Sequence, residues 1–584
     1  MNKIKFLFIA LLSVLLSAGC GNEATPDLPP EEEEKPIEYP IPTDPEVAST
    51  MGFFMDGWIA KSFIIPSFTE ISKPATSPSV TIDVDASKII TKIPQTMFGQ
   101  NSVSYVQNLS TEEPLMTYLK DLNVGLIRFP GGSISDTYFW NGTFNNKPDD
   151  APEYLYDGDK EELWRWNYWY GKNNPTNQRA NLDDYYALLQ KTGSEGVITV
   201  NYGYARYGLS EDPVAKAAHL AAEWVRYDNG RTKYWEIGNE NHGSWEKGYR
   251  INTANNKDGQ PEYLNGKLYA EHAKVFMDSM RNAAKKIGKE IKIGVGVVEE
   301  YNSWLWESSK AVPTWNSSVM TEMKSNGADF YIIHSYYLNN ADNTFDKIIA
   351  SAEKKTGEMI KYVTNDMTKN GLSTHPIALT EYNIFAVGPA GSMQQVSYVN
   401  GMHTTIVLCE SIKNNMGATA RWDIANGWDN GADHGMFNLG DEPNAEKWNP
   451  RPVFYYMYYL QKMMGDRMIA STSSNGNILS YASSFTSGEK GVVLINKSNK
   501  QEIVKINIKN ANVGKRAYWY TLTGGSDNGD FSRKVLVNSI GPEGQAMGGP
   551  ARNYKTLKAN SLSTDNGIII TLPPRAVTFL AVDK

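Results

Sequence analysis

The sequence predicts an α/β protein in which a (β/α)8 TIM barrel is followed by an antiparallel β-sandwich. The chain has 584 residues, which is long enough for a barrel and a smaller second domain. Between about residues 95 and 466, apolar strand-like runs alternate with helix-period segments, a pattern typical of a parallel sheet covered by helices. From 467 to 584, short alternating strands are separated by turns rich in Gly, Asn and Ser.

The N-terminus has the pattern of a secretory signal. Lys3 and Lys5 precede an apolar run over 6–16 that is too short to span a bilayer. Small residues lead up to Cys20 in a stretch that resembles a bacterial lipobox, Leu-Ser-Ala-Gly-Cys. We therefore expect residues 1–20 to be a lipoprotein signal peptide and Cys20 to carry lipid. The protein would then be exported and held to a bacterial membrane, periplasmic or at the cell surface, by this anchor alone; a plain signal peptide is the alternative.

Two segments separate this signal from the barrel. Residues 21–50 are rich in Pro and Glu and are predicted to form a disordered tether. Residues 51–94 begin with several aromatic residues, which predicts packing on the barrel, and the alternating stretch Val80–Val84 predicts a strand that joins the sandwich.

Eight candidate strands lie in the barrel region, and eight strand–helix units are the number that closes a barrel. A doubly wound open sheet is the alternative. A clear helical pattern occurs at 268–287, where apolar residues recur on one face. The candidate strands are Met97–Gly99, Gly125–Phe129, Val197–Asn201, Lys233–Ile237, Ile291–Val298, Phe330–Ile333, Ile377–Thr380 and Ala418–Trp422.

Alternation with a period of two predicts the sandwich strands, in which one face is buried. These candidates are Ile478–Phe485, Val492–Asn496, Ile503–Ile508, Tyr518–Leu522, Ile568–Leu572 and Val577–Val582.

Composition excludes several classes of partner. The net charge is −8 and no basic stripe occurs, which argues against nucleic acid. With only 7 His and 2 Cys, the chain offers no zinc-type cluster, and Cys409 is predicted to be a buried apolar residue. The acidic loop 423–429 lacks the terminal glutamate of a calcium loop and is interpreted as lying beside the substrate. No metal or cofactor is predicted. The 15 Trp and 33 Tyr suit an oligo- or polysaccharide partner.

Two carboxylates follow apolar strands directly. Glu240 comes after the fourth candidate strand and Glu381 after the seventh. In a βα barrel the C-terminal ends of the strands form the functional face, so both side chains are expected at one mouth. Paired carboxyl groups are what glycosidic cleavage requires, one to protonate the leaving oxygen and one to attack or to activate water.

The motifs around these residues carry a family resemblance. The stretch 235–240, Trp-Glu-Ile-Gly-Asn-Glu, resembles the acid/base strand of clan A glycoside hydrolases, which are retaining barrel enzymes. Within the clan, the chain is most similar to family 51 α-L-arabinofuranosidases over roughly 95–465 and in the trailing sandwich. The other motifs that match are Leu126–Gly132, Ile333–Tyr337 and Thr380–Asn383. The resemblance implies double displacement, with Glu240 as acid/base and Glu381 as nucleophile.

Roles follow for the neighbouring residues. Asn239 resembles the clan residue that binds the sugar 2-hydroxyl. Arg128, Tyr336 or both are expected to keep Glu381 ionised, whereas Glu240 needs a raised pKa that cycles during turnover. His334 is expected to orient Glu240 or to bind a sugar hydroxyl, unless it is simply structural. The remaining predicted substrate-binding residues are Asn101 after the first strand, Trp166 in an aromatic loop after the second, and Trp422 after the eighth.

Three departures from the family leave the sugar open. Gln100-Asn101 stands where a glutamate is usual, Ser133 replaces an asparagine, and Tyr382 replaces a tryptophan. We therefore expect a retaining hydrolase of plant or algal glycans that is similar to arabinofuranosidases. The alternatives are another clan A activity (a β-glycosidase, a xylosidase or an endo-acting galactan or agar hydrolase) and a non-catalytic glycan-binding lipoprotein at the surface.

Overall fold

The computed structural model describes residues 39–584, apart from 176, 302–306, 341, 390, 543–547 and 549–552. The predicted signal peptide, Cys20 and most of the predicted tether lie outside the described residues. Among the helices that are described, none combines the length and the apolar character needed to cross a membrane.

The strands of the described chain, in order, are β1 (Phe68–Glu70), β2 (Val80–Lys92), β3 (Gly99–Asn101), β4 (Leu126–Phe129), β5 (Tyr138–Thr143), β6 (Tyr154–Tyr156), β7 (Leu163–Arg165), β8 (Trp169–Lys172), β9 (Glu195–Val200), β10 (Tyr234–Ile237), β11 (Lys292–Gly296), β12 (Phe330–Tyr336), β13 (Ile377–Asn383), β14 (Ala418–Arg421), β15 (Ala425–Asn426), β16 (Phe437–Asn438), β17 (Arg467–Ser473), β18 (Ile478–Ser484), β19 (Lys490–Asn496), β20 (Glu502–Lys509), β21 (Arg516–Gly524), β22 (Val535–Val537), β23 (Ala559–Ser563), β24 (Ile568–Leu572) and β25 (Ala576–Val582). The α-helices are α1 (Glu113–Asp121), α2 (Leu182–Thr192), α3 (Gly203–Tyr207), α4 (Pro213–Asp228), α5 (Gly266–Lys286), α6 (Val312–Glu322), α7 (Phe345–Lys369), α8 (Tyr398–Lys413) and α9 (Pro452–Met463).

Eight strands close into a parallel barrel in the order β10-β11-β12-β13-β14-β3-β4-β9. Each of these strands is followed along the chain by a long helix, which gives the predicted eight strand–helix units. The TIM barrel is therefore confirmed, and the open doubly wound alternative is wrong because the sheet closes. The helix predicted at 268–287 is observed as α5.

Local sequence explains where the covering helices begin. The side chain of Asp212 accepts a hydrogen bond from the backbone N–H of Ala215, and Pro213 occupies the first turn of α4. Asn265 and Thr344 cap α5 and α7 in the same way. These caps fix where the helices that follow β9, β10 and β12 begin. The strand ends meet at one mouth because the eight barrel strands are parallel.

The N-terminal end of the barrel is closed by an aromatic plug. Phe54 is buried and lies with its ring centroid 4.9 Å from that of Tyr234 and 5.5 Å from that of Phe330. Both partners stand at the beginning of barrel strands. Because this end is filled with apolar side chains, the opposite end, where the strands finish, is left for chemistry.

The remaining long sheet is the C-terminal β-sandwich. Its strands pair mainly antiparallel in the order β1-β23-β21-β25-β19-β18-β17-β2-β20-β24, with β22 beside β21. Strand β2 lies between β17 and β20, so the sheet takes a strand from before the barrel as well as strands from after it. The inward side chains of these strands form their own apolar cluster.

Candidate active site

Glu240 and Glu381 meet at the mouth of the barrel. Glu381 is near the end of β13, and Glu240 follows β10 in a loop. One oxygen of each carboxylate and Nδ1 of His334 all lie within 4.8 Å of one another. Glu240 has a φ of 43°, a left-handed conformation that residues other than glycine rarely adopt. Such conformations are concentrated at functional sites.

Both oxygens of Glu381 accept hydrogen bonds. Nη1 of Arg128 donates to Oε2 at 3.0 Å, and the hydroxyl of Tyr336 donates to Oε1 at 2.6 Å. Tyr336 comes from β12, which pairs with β13, and Arg128 comes from β4, three strands away on the other side of β13. This fixes the direction in which its free lone pairs point.

Arg128 is fully buried and uses each of its nitrogens. Nε donates to Glu236 at 2.6 Å, Nη1 also donates to Asn101 at 3.1 Å, and Nη2 donates to Asn239 at 2.8 Å. Burial lowers the pKa of the guanidinium, but Glu236 and Glu381 raise it by more, so the group stays charged. One buried cation thus connects the side chains of four neighbouring positions.

Glu240 has two donors of its own. Oε1 lies 2.8 Å from Nδ1 of His334, and Oε2 accepts a hydrogen bond from the indole of Trp245 at 3.0 Å. The other ring nitrogen of His334 lies 3.2 Å from the hydroxyl of Thr380, the residue before Glu381. His334 is also 3.9 Å from Oε2 of Glu381, so it lies between the two carboxylates but nearer to Glu240.

The pKa directions of the two glutamates differ from those expected from the sequence. Burial raises the pKa of Glu240, but His334 and then His242 and Trp245 lower it to about 2. For Glu381, burial and the nearby Glu240 raise the pKa. His334, Arg128 and Tyr336 lower it by less, so the pKa lies above its ordinary value. The expectation that Glu240 would have the raised pKa and Glu381 the lowered one is therefore wrong. The reason is that His334 lies closer to Glu240.

No family model matches the chain. A curated relative is the intracellular exo-α-(1→5)-L-arabinofuranosidase of Bifidobacterium longum, 25% identical over 320 residues that cover 48% of each chain. The chain thus spans about half the length of the curated relative it matches. Among solved structures, the α-L-arabinofuranosidase of Thermotoga maritima has a TM-score of 0.59 at 16% identity and covers 87% of this chain and 100% of its own.

The chain is similar to the family 51 arabinofuranosidases. The shared fold extends beyond them, because a family 44 xyloglucanase of Paenibacillus polymyxa has a TM-score of 0.55 at 13% identity, covering 87% of this chain and 100% of its own.

Three predicted substrate residues of this family 51-like site have other neighbours. Asn101 is fully buried, donates to the carbonyl oxygen of Thr380 at 2.9 Å and accepts from Arg128, so it positions Arg128 and does not face the mouth. Trp166 is half-buried beneath the ammonium of Lys247, 4.2 Å from its ring centroid. The ring of Trp422 packs against Gly132, where an added Cβ would lie 2.9 Å from its Cη2. Sugar contacts for the two tryptophans stay predictions.

Several site residues escaped the sequence reasoning. Glu236 could have been predicted from the sequence, because a carboxylate inside an apolar strand requires a buried partner. That partner is Arg128. Trp245, Glu246 and Asp136 lie outside the barrel strands, and no local pattern marks them. The folded path of the loop after β10 brings Trp245 and Glu246 to Glu240 and Asn239, and the turn after β4 brings Asp136 to the backbone of Asn239.

The same geometry bears on metal binding. Within the described chain, Glu240, His334 and Glu381 are the group of His, Cys, Asp or Glu side chains close enough to share an ion. However, Arg128 already donates to Oε2 of Glu381, so a metal ion there would lie beside a fixed positive charge. The arrangement suits a pair of carboxyl groups that are each held by hydrogen-bond donors better than it suits a cation site.

Proposed function

We propose that this protein is a retaining glycoside hydrolase, with Glu381 as nucleophile and Glu240 as acid/base. The observation that carries the proposal is the approach of the two carboxylates to within 4.8 Å at the barrel mouth. Retaining enzymes place their carboxyl groups about 5–5.5 Å apart, whereas inverting enzymes leave about 6.5–9.5 Å for a water molecule.

In the first step, Glu381 attacks the anomeric carbon while the leaving oxygen takes up a proton. Arg128 and Tyr336 hold Glu381 in one orientation, which is what an attacking group needs. Both donors stabilise the carboxylate before attack, and their hydrogen bonds weaken as its negative charge is neutralised in the bond to the anomeric carbon, while the leaving oxygen takes the electron pair of the broken bond.

The proton for the leaving group resides on the pair formed by Glu240 and His334. An ion pair of imidazolium and carboxylate differs from the neutral pair only in which of two atoms, 2.8 Å apart, holds the proton. A bound sugar excludes water, and removing water disfavours two charges relative to the neutral pair. Substrate binding thus moves the proton towards Glu240, from which it passes to the leaving oxygen.

In the second step, Glu240 accepts a proton from water, and the resulting hydroxide oxygen attacks the glycosyl–enzyme ester. This releases the sugar and regenerates Glu381 as a carboxylate. Because Nδ1 of His334 lies 2.8 Å from Oε1 of Glu240, the proton that Glu240 accepts can be shared across the same contact.

The substrate class that the similarity supports best is an α-L-arabinofuranoside from plant or algal glycans, since both the curated relative and the Thermotoga structure carry arabinofuranosidase in their names. The second candidate is a β-linked xylan, glucan or galactan. It is favoured by the bifunctional glucanase–xylanase CelM2, which has a TM-score of 0.54 and covers 87% of this chain and 99% of its own.

The test is hydrolysis of a panel of nitrophenyl glycosides, arabinan, xylan, xyloglucan and agarose by the wild type and by Glu381→Ala. Glu195→Ala is the control, because Glu195 is an exposed carboxylate at the opposite end of a barrel strand. We expect Glu381→Ala to lose nearly all turnover and Glu195→Ala to keep it. Binding of glycans without any hydrolysis by the wild type would overturn the proposal in favour of a glycan-binding protein.

We also propose that the protein is exported and anchored by lipid on Cys20. The proposal is supported by the basic residues, the apolar run and the small residues before the cysteine. We expect wild-type protein in the membrane fraction of a bacterial host and Cys20→Ala in the soluble fraction. If the variant stays fully membrane-bound, the anchor is not at Cys20.

A further inference from the structure

Glu246 is a buried carboxyl group that forms no ion pair with any described residue. It has no exposed surface and lies in the loop after β10, a few residues beyond Glu240. Its Oε1 accepts hydrogen bonds from the hydroxyl of Ser133 at 2.7 Å and from Nδ2 of Asn239 at 2.9 Å. Its Oε2 is buried and has no hydrogen-bond partner within the described chain.

The charged groups that face Glu246 favour its neutral form. Burial, Asp136 and Glu240 raise its pKa well above the ordinary value, and Ser133 and Lys247 only partly oppose them. The ammonium of Lys247 is engaged with Asp157 at 2.6 Å. Since an isolated buried carboxylate is costly, these surroundings favour the protonated form of Glu246.

Asp136 is a second buried carboxyl group beside Asn239, and its surroundings differ. It accepts hydrogen bonds from the backbone of Tyr202, Gly203 and Asn239 at 3.1, 3.0 and 3.2 Å, and from the side chain of Asn241 at 2.8 Å. These donors oppose the effect of burial, which raises the pKa of Asp136 to about 7. With four N–H donors, the carboxylate form of Asp136 is better stabilised than that of Glu246, so protonation is favoured at Glu246.

Glu246 and Arg128 together hold the amide of Asn239 in one orientation. The amide oxygen accepts from Nη2 of Arg128 at 2.8 Å, and one amide hydrogen is directed to Glu246. The second hydrogen of the same nitrogen is left for a ligand. Ser133, one of the positions that departs from the family, is the other donor to Glu246. The residue at this departing position therefore donates directly to the buried carboxyl group.

We propose that uncharged Glu246 is a positioning residue that orients the amide of Asn239 towards the sugar hydroxyl next to the anomeric carbon. This inference rests on the proposed hydrolase function. Glu246 does not touch the substrate; it acts through Asn239, whose contact with that hydroxyl strengthens in the transition state.

The activity test compares Glu246→Gln, which resembles the neutral acid, with Glu246→Ala. The substrates are the nitrophenyl glycoside that the wild type cleaves fastest and its 2-deoxy analogue. We expect Glu246→Gln to stay within about threefold of the wild-type kcat/KM. We expect Glu246→Ala to lose about tenfold or more on the 2-hydroxy substrate and much less on the 2-deoxy analogue. Equal losses on both substrates would overturn the positioning role.

A second measurement, which needs no substrate, tests whether Glu246 is protonated in the folded protein. A carboxyl group that is protonated in the fold but ionised in the unfolded chain destabilises the fold as pH rises above its unfolded value, near about 4.3. Glu246→Gln removes this penalty, so its Tm relative to wild type should increase from pH 5 to pH 8. Glu410→Gln is the matched control, because Glu410 is a buried glutamate that has a lysine partner, Lys413, at 3.0 Å.

The outcomes separate the two proposals. If the Tm difference for Glu246→Gln is flat with pH, or matches the trend of Glu410→Gln, Glu246 is charged and the inference fails. If the wild type hydrolyses no glycoside, the proposed function fails, whereas the trend in Tm still reports on the proton of Glu246.

Discussion

At the residue scale, Arg128 is the cation on which the site depends. Replacing it with methionine leaves Glu236 buried and unpaired, which costs about 3–5 kcal/mol when one partner of a buried ion pair is removed. We expect Arg128→Met to lower the free energy of unfolding in urea by that order. Arg281→Met is the control, because the ion pair of Arg281 with Asp329 is partly exposed and should cost no more than about 1 kcal/mol. Similar small losses in both variants would contradict this account.

His334 is the second residue with a separable effect. If it shares the acid/base proton with Glu240, His334→Asn should slow the cleavage of glycosides with poor leaving groups more than that of nitrophenyl glycosides, because good leaving groups need little protonation. The loss in rate should be smaller than the factor of about 10²–10⁴ that a general acid itself contributes. The dependence of kcat on leaving-group pKa measures this. An equal loss on all leaving groups would show that His334 only supports the structure.

The sequence predicts Glu240, Glu381 and Arg128 as site residues because each ends or interrupts an apolar strand, and strand ends define the mouth of a barrel. It could not order the pKa values of the two glutamates, since that order depends on a difference of about an ångström in their distances to His334. It also missed Glu246, because the identity of its partners depends on how the loop after β10 folds back on Ser133 and Asn239.

At the scale of elements, the loop after β10 is braced by the hairpin of β6 and β7. A Cβ added at Gly158 would lie 2.3 Å from the carbonyl oxygen of Ser244 and 2.8 Å from Cα of Trp245, the residue that donates to Glu240. Gly158→Ala should therefore displace this loop and lower kcat/KM by about tenfold or more.

The matched control for that change is Gly193→Ala. Gly193 has a φ of 72°, close to the 71° of Gly158, but nothing lies within 4 Å of its added Cβ. Both variants should lose about 1–2 kcal/mol for the left-handed backbone, as measured by thermal unfolding. Only Gly158→Ala should lose activity. Equal activity in the two variants would show that the hairpin does not brace the catalytic loop.

The barrel strands were predictable as elements, whereas their ends were not. The sixth and seventh strands were expected to stop at Ile333 and Thr380, but they continue to Tyr336 and Asn383. The polar residues at these ends are typical of a loop in the sequence. They stay in the strands because the two strands hydrogen-bond to each other beyond a register shift. The small pairs β5–β8 and β6–β7 were missed, since they are short and depend on contacts with the barrel loops.

At the scale of the whole molecule, the face of the sandwich that packs on the barrel helices belongs to the same apolar cluster as the barrel. Tyr459 of α9 lies with its ring centroid 4.5 Å from that of Tyr520 in β21. We expect a chain ending at Gly465 not to fold alone, because β2 would lose both of its neighbours, β17 and β20. Size-exclusion chromatography and circular dichroism measure this. A soluble, cooperatively unfolding fragment would contradict the shared core.

The stereochemistry of azide rescue tests the central claim most directly. With an activated glycoside, Glu240→Ala should accumulate the glycosyl enzyme, which azide attacks to give a glycosyl azide of retained configuration. In Glu381→Ala, azide attacks the substrate itself and should give the inverted product. Nuclear magnetic resonance of the two azides distinguishes the anomers. A swapped pattern would reverse the roles of Glu240 and Glu381, and inversion by the wild-type enzyme would contradict double displacement altogether.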